Sequence, residues 1–143
     1  MEMERCVFLD GDWCWDMHPF IVNDETKKMV MDNIVYQLQS FIHCSVIENI
    51  IFCWVLHDQS IIDEICQRLD TSQCQVYSIS LLCNEDTLRQ HLQKDIDLKI
   101  RDESVIERSL ERMGHYHDLL TYKIDISSLS PKEIVECVLD YIQ

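Results

Sequence analysis

The stretch Val7-Phe8-Leu9-Asp10-Gly11-Asp12-Trp13 is decisive for the fold, because a short apolar run here ends in a turn that carries two carboxylates around a glycine. An apolar run bounded by turn residues predicts a buried strand, over residues 4–9, that ends in a polar loop. In open α/β sheets, ligands bind just beyond the carboxyl ends of the strands. Asp12 is therefore a candidate general base or hydroxyl-orienting residue, and Gly11 lets the backbone turn without a Cβ clash. The alternative is an Asx-type turn that only ends the strand.

Aromatic residues are unusually dense after this turn, where Trp13, Trp15 and Phe20 lie close in sequence to several aspartates. Aromatic walls with a few convergent polar groups are typical of small-molecule pockets. We therefore expect Asp10, Trp13 and Trp15 to bind substrate. The alternative is a hydrophobic plug that covers the end of the sheet.

The rest of the chain alternates between strand-like and helix-like patterns. Residues 49–56 are nearly all apolar, which predicts a strand buried on both faces of a parallel sheet. This strand ends at His57, a further candidate for substrate binding at a carboxyl edge. The alternation predicts a three-layer α/β/α fold with a mostly parallel sheet, in a single domain over residues 1–143. The other predicted elements are strands over 75–83 and 122–126, and helices over 23–43, from Asp58 or Ser60 to 69, over 85–95, from Asp102 or Ser104 to 117, and over 130–141.

Composition and charge narrow the classes of partner. The net charge is −14, with a sequence pI near 4.6, and this excludes nucleic acid and anionic membrane as expected partners because both need a basic footprint. The acidic N-terminus does not fit a signal peptide, and no apolar run approaches a membrane span. Eight cysteines without a CxxC pair indicate a reduced, cytoplasmic protein. His115 and His117 suggest no further ligands, so we predict no metal site.

The few cations are unevenly distributed, since half of the twelve lysines and arginines lie within residues 89–112. Arg108 and Arg112 are four residues apart and share one helix face, and Arg101 lies on the preceding link. Arginine forks suit phosphate oxygens, which makes these three arginines candidate phosphate-binding residues. The alternative is a solvated face of salt bridges, because acidic residues are interleaved with the arginines.

Taken together, these segments resemble the P-loop kinases of small molecules, namely the shikimate, gluconate and adenylylsulfate kinase group and its nucleotide-kinase-like relatives. LDGDW at 9–13 resembles the second strand of that group, whose DGD motif meets the phosphate acceptor. The segment 83–101 resembles the helix and lid after the fourth strand, and 124–134 resembles the last strand and the loop that passes the adenine. The resemblance runs across essentially the whole chain.

The resemblance implies ATP-dependent phosphoryl transfer to a hydroxyl or phosphate on a small-molecule or nucleotide acceptor, with ATP and Mg²⁺ as the cofactors of the full-length family. It implies that Asp12 acts on the acceptor side. It also implies that Arg101, Arg108 and Arg112 clamp phosphate, and that a lid spans about residues 94–104. Catalysis of this kind is mainly positioning and charge stabilisation.

The chain departs from that family in its phosphate loop. GxxxxGK[ST] is absent, because Gly11 and Gly114 are the only glycines and neither precedes a lysine. His91 also stands where relatives often carry an arginine. We therefore expect a shortened, inactive or nearly inactive member, or else a non-catalytic binding or regulatory module derived from the fold. An in-frame phosphate loop encoded upstream would decide for the kinase.

A missing phosphate-loop strand has a structural consequence. In this topology that strand lies between the strands at 49–56 and 75–83, and its loss leaves both with unpaired edges. Exposed hydrophobic edges invite association, so we expect poor stability or self-association through them.

Overall fold

The structure is a computed structural model that describes residues 3–143, and it divides into two compact units, one that ends at Val76 and one that spans Tyr77–Gln143. Helices and short strands alternate in both, which confirms the expected α/β class. The first unit contains β1 (Cys6–Asp10), a 3-10 helix (Gly11–Trp15), α1 (Asp24–Ile42), β2 (Asn49–Cys53) and α2 (Gln59–Arg68). The second contains β3 (Ile79–Leu82), α3 (Glu85–Asp97), α4 (Ser104–Met113), a 3-10 helix (Gly114–His117), β4 (Tyr122–Asp125) and α5 (Pro131–Ile142).

Strand pairing within residues 3–143 forms two separate two-stranded sheets. β1 lies parallel to β2, in a register that pairs Asp10 with Cys53. β3 lies parallel to β4, in a register that pairs Ile79 with Tyr122. The parallel orientation expected from the sequence is therefore present, in the form of two short pairs.

The core of the first unit lies between α1 and one face of the β1–β2 sheet. Asn23 begins α1 with a capping box, in which its side chain accepts from the Thr26 N–H at 2.8 Å and the Thr26 hydroxyl accepts from the Asn23 N–H at 2.9 Å. Val30 and Ile34 of this helix are fully buried, and Leu9 of β1 is 3% exposed. Full burial of one such side chain is worth about 1.5–3 kcal/mol. Met31, Leu38 and Ile65 complete the buried cluster.

The prediction that residues 49–56 are buried on both faces is wrong. Ile50 and Phe52 pack against the core cluster, but Ile51 and Val55 are 44% and 39% exposed. Phe8, which pairs with Ile51 in the register, is also exposed. The reason is that the core side chains of the first unit come from α1, α2 and the inner face of the sheet, so the other face of this sheet lacks a layer from its own unit.

Several strand ends also differ from the sequence expectation. β2 ends at Cys53 rather than at residue 56, and β3 begins at Ile79 rather than at residue 75. A strand exists only where its partner supplies hydrogen bonds, and β1 and β4 are five and four residues long.

Helix starts in the second unit follow local capping chemistry. The Asn84 side chain accepts from the Thr87 N–H at 2.8 Å and begins α3, and Ser130 begins α5 with a capping box to Glu133. α4 starts at Ser104, whose N–H donates to the Asp102 carboxylate at 2.8 Å. The buried apolar side chains of this unit are Leu92, Val105, Leu119 and Ile124.

Two further findings concern helix length and the cysteines. Across residues 3–143 there is no helix with the length and apolarity needed to cross a membrane. All eight cysteines are free thiols. Burial, followed by the nearby Asp10 and Asp12 carboxylates, raises the pKa of the Cys53 thiol, which disfavours the reactive thiolate there.

Candidate functional site

The carboxyl end of β1 forms the first candidate site, which we call the acidic edge and define as residues 10–13. The chain continues from β1 directly into the 3-10 helix rather than through an open turn. The Asp10 side chain accepts a hydrogen bond from the Asp12 N–H at 2.9 Å and so caps this helix. Asp10 therefore makes the Asx-type turn, because its Oδ1 accepts from the backbone. The Asp12 side chain takes no part in that turn.

Gly11 is required at the acidic edge for a packing reason. Its φ does not lie in the left-handed region, so the turn itself does not demand a glycine. A Cβ at this position would stand 2.4 Å from Cγ of Trp54 and within 2.8 Å of two other ring atoms. The indole of Trp54 therefore lies against the Gly11 backbone, and the glycine permits this close approach.

Trp54 also contacts the Asp12 side chain. Its Nε1–H donates to Asp12 Oδ1 at 3.2 Å, while the body of the ring packs against the core cluster. Trp54 is not among the residues selected from the sequence, because its place depends on the register of two strands. Trp54 directly follows Cys53, the register partner of Asp10, so it stands beside Gly11 just beyond the end of the neighbouring strand.

The two tryptophans expected to bind substrate have different environments. Trp13 is 61% exposed and meets Phe8 edge-on, with ring centroids 5.6 Å apart. Trp15 packs against the core cluster and lies 5.8 Å from the Phe20 ring. Trp15 is thus partly buried against the core, whereas Trp13 offers an exposed aromatic surface in the residue after Asp12.

His57 lies in the segment between β2 and α2 and is half-buried. The following residue, Asp58, caps α2 by accepting from the Ser60 N–H at 2.8 Å and from the Ser60 hydroxyl at 2.7 Å. Of the two cap residues left open by the sequence, the structure uses Asp58.

The second candidate site is a cavity in the second unit, which we call the cationic cavity. It has a volume of about 470 Å³ and lies at the link from α3 to α4. Arg101 and Arg108 both line it, whereas Arg112, one turn further along α4, is outside the lining. Lys99 is a third cation in the wall, one that sequence reasoning did not select. The remaining lining residues are Ile96, Ile100, Asp102 and Val105.

Lys99 has a left-handed backbone, with φ at 58°. The Lys99 N–H donates to the Ile96 carbonyl at 2.8 Å, and the Ile100 N–H donates to the Asp95 carbonyl at 2.9 Å. These two bonds make a Schellman motif that ends α3, with lysine in the position that glycine usually takes. A left-handed residue with a side chain costs about 1–2 kcal/mol, so this turn directs a lysine towards the cavity at some cost in stability.

Acidic neighbours balance part of the charge in the cationic cavity. Arg101 Nε lies 3.4 Å from an Asp95 carboxylate oxygen, in an exposed pair. Hydrogen bonds from the Ser104 hydroxyl and backbone, together with the charge of Arg108, lower the pKa of Asp102. Three cations and one carboxylate line the wall, which leaves a net positive surface in a chain of net charge −14.

Not every arginine in residues 89–112 belongs to such a surface. Arg89 pairs with Glu85 of its own helix at 2.7 Å, as the solvated-face alternative describes. That alternative therefore holds for Arg89, while Arg101 and Arg108 share a cavity.

The sequence lacks the phosphate loop with which the resembled family holds ATP. The sequence has no Gly-Lys pair to cradle nucleotide phosphates. Among residues 3–143, no group of three or more His, Cys, Asp or Glu side chains is arranged to hold a metal ion.

Comparison with known proteins gives a similar solved structure but no matching family. No protein-family model matches the chain. No curated protein matches it either. Among solved structures, the chain is similar to the tunicamycin resistance protein of Deinococcus radiodurans, with a TM-score of 0.70 at 12% identity, over 97% of this chain and 83% of that one. At this identity the likeness shows a shared α/β fold.

Proposed function

We propose that the chain belongs to the lineage of ATP-dependent small-molecule or nucleotide kinases and that, as it stands, it binds phosphate groups without transferring them. The observation that carries this proposal is the cationic cavity, where Lys99, Arg101 and Arg108 line one space in a strongly acidic chain. Guanidinium groups bind phosphate oxygens through charge-assisted, often bidentate, hydrogen bonds. In this proposal they hold the phosphate of a small-molecule or nucleotide substrate.

The strand pairing supports the same lineage. In the resembled kinases, the phosphate-loop strand lies between the counterparts of β2 and β3. Two parallel pairs, β1–β2 and β3–β4, are what remains when that strand is absent. The similar solved structure supports the fold alone.

Asp12 is the proposed acceptor-side residue, because it follows a strand at its carboxyl end and its side chain is exposed beside Trp13. An ionised carboxylate in that place accepts a hydrogen bond from an acceptor hydroxyl and orients it. Asp10 holds the backbone of Asp12 through its Oδ1.

A second function has a specific observation in its favour. Without GxxxxGK[ST], the chain has no phosphate loop to position ATP, which favours a non-catalytic binding or regulatory module. Joining a phosphate-loop strand to the chain would separate the two functions. The kinase lineage predicts that phosphoryl transfer appears and that Asp12→Asn removes it, whereas the binding module predicts no transfer in either form.

Calorimetric titration with inorganic pyrophosphate tests the proposal on the chain itself. We expect saturable binding that weakens with salt and that falls about tenfold in Arg108→Gln, the effect of losing a charge-assisted hydrogen bond. Arg89→Gln is the matched control, because Arg89 lies outside the cavity and pairs with Glu85. No binding by the wild type, or equal loss in both variants, would contradict a phosphate site at this cavity.

The exposed sheet face of the first unit leads to a related proposal about partners. Phe8, Ile51 and Val55 expose apolar surface beside a strand edge of β2, and such surfaces promote association between copies. Size-exclusion chromatography over a range of concentrations should show self-association. A monomer with one sharp unfolding transition and ordinary stability would count against a missing central strand.

A further inference from the structure

Asp12 is exposed, and an exposed aspartate on its own samples several staggered rotamers. A carboxylate that orients a hydroxyl binds it better when its own rotamer is fixed before the ligand arrives. The side-chain entropy is then lost on folding rather than on binding. Asp10 fixes only the Asp12 backbone N–H, so it does not set the direction of the carboxylate.

The contact that does reach the carboxylate is made by Trp54. The indole Nε1–H donates to Oδ1 of Asp12 at 3.2 Å, and the second oxygen, Oδ2, takes no part in this bond. The donor is itself well placed, because the ring packs against the core cluster on one side and against Gly11 on the other. An indole so confined has little freedom to move its N–H away.

We propose that Trp54 is a positioning residue, and that its core-packed indole fixes the Asp12 carboxylate in one orientation with Oδ2 presented to a ligand hydroxyl. The role of Asp12 towards a ligand rests on the proposed function above. The positioning by Trp54 does not, since it concerns the chain alone. Gly11 is part of the same device, because any Cβ there would displace the ring.

Trp54→Phe isolates the hydrogen bond, since phenylalanine keeps an aromatic ring over Gly11 and lacks the N–H. Three-bond couplings across the Asp12 Cα–Cβ bond, measured by NMR, report its rotamers. In the wild type we expect a single dominant rotamer, and in Trp54→Phe we expect averaging over two or three. Trp13→Phe is the matched control, because Trp13 lies in the same 3-10 helix, and it should leave the Asp12 couplings unchanged.

A second variant keeps the test decisive if Trp54→Phe fails to fold. Asp12→Ala leaves the ring and the core intact, and it should move the indole Hε1 resonance of Trp54 upfield, as expected for loss of a hydrogen bond, while the Trp13 and Trp15 resonances stay in place. Unchanged Asp12 couplings in folded Trp54→Phe, averaged couplings in the wild type, or an unmoved Trp54 resonance in Asp12→Ala would overturn the proposal. Failure of pyrophosphate to bind would refute the proposed function and leave these NMR results standing.

Discussion

At the acidic edge of the first unit, the Asp12 carboxylate meets an indole that is itself packed on a buried core, whereas two cations of the cationic cavity, Lys99 and Arg101, stand on an exposed turn between α3 and α4. Trp54 reaches the edge from the end of β2, backed by Leu9 and the α1 side chains. Lys99 reaches its cavity through a left-handed backbone that a glycine would adopt at lower cost.

The difference in side-chain support between the acidic edge and the cationic cavity suits them to different kinds of ligand contact. A side chain held by core packing is ordered before any ligand arrives, which suits a group that must point in one direction. Cations on an exposed turn can adjust to a multivalent anion, and they lose more conformational entropy when they do. The first region therefore suits orientation, and the second suits capture of charge.

The largest loss of stability is expected from a substitution in the core that supports the acidic edge. Ile34→Ala empties a fully buried position on α1 and should lower the free energy of unfolding by about 2–5 kcal/mol, measured with denaturant. Tyr36→Ala, two residues away at a site that is 75% exposed, is the control and should cost far less. Equal losses in the two variants would contradict the core assigned to the first unit.

The next effect concerns the two glycines. Gly11→Ala forces Trp54 off the turn and should destabilise by about 1–3 kcal/mol, the usual cost of overpacking. Gly114→Ala is the matched control, because its backbone is helical and open space surrounds the new methyl group, so it should be neutral or stabilising by up to about 1 kcal/mol. Similar midpoints for both variants would show that the indole does not rest on Gly11.

A smaller effect of opposite sign is expected at the cationic cavity. Lys99→Gly relieves a left-handed lysine and should raise stability by about 0.5–1 kcal/mol, while weakening the binding of pyrophosphate. Thermal unfolding and calorimetric titration on the same variant measure both changes. A variant that is stabilised and binds as tightly as the wild type would remove Lys99 from the site.

The smallest effect is a dependence on pH in the first unit. Hydrogen bonds from Lys28 and then from Arg68 lower the pKa of Asp32, so this link between α1 and α2 stabilises the fold at neutral pH. Because the folded pKa lies below the unfolded value, the contribution is lost as pH falls below about 4. Unfolding of Arg68→Gln across that range should lose stability less steeply than the wild type, and Arg89→Gln should follow the wild type.

Local chemistry made much of the fold predictable. Asn23, Asn84 and Ser130 were recognisable as helix starts because a cap needs only the residues that follow it within one turn. The ends of β2 and β3 were not, because strand length depends on hydrogen bonds to a distant partner.

The candidate sites were predictable to a lesser degree. Asp12 and Arg101 could be selected from sequence because a motif or a charge cluster marks them. Trp54 acts through a register between two strands, and Lys99 through a Schellman turn without its usual glycine. Neither the strand register nor a Schellman turn without glycine can be recognised from the sequence alone.

The central claim, that the second unit captures phosphate at the cationic cavity while the acidic edge orients an acceptor, is tested most directly by locating a bound anion. Backbone amide shifts of the wild-type chain, recorded by NMR during titration with inorganic pyrophosphate, give that location. The account predicts saturable shifts confined to the turn and helix start over residues 96–108, with residues 10–13 unchanged. Shifts centred on Arg89 or on the lysines of α1, or no saturable shifts at all, would contradict it.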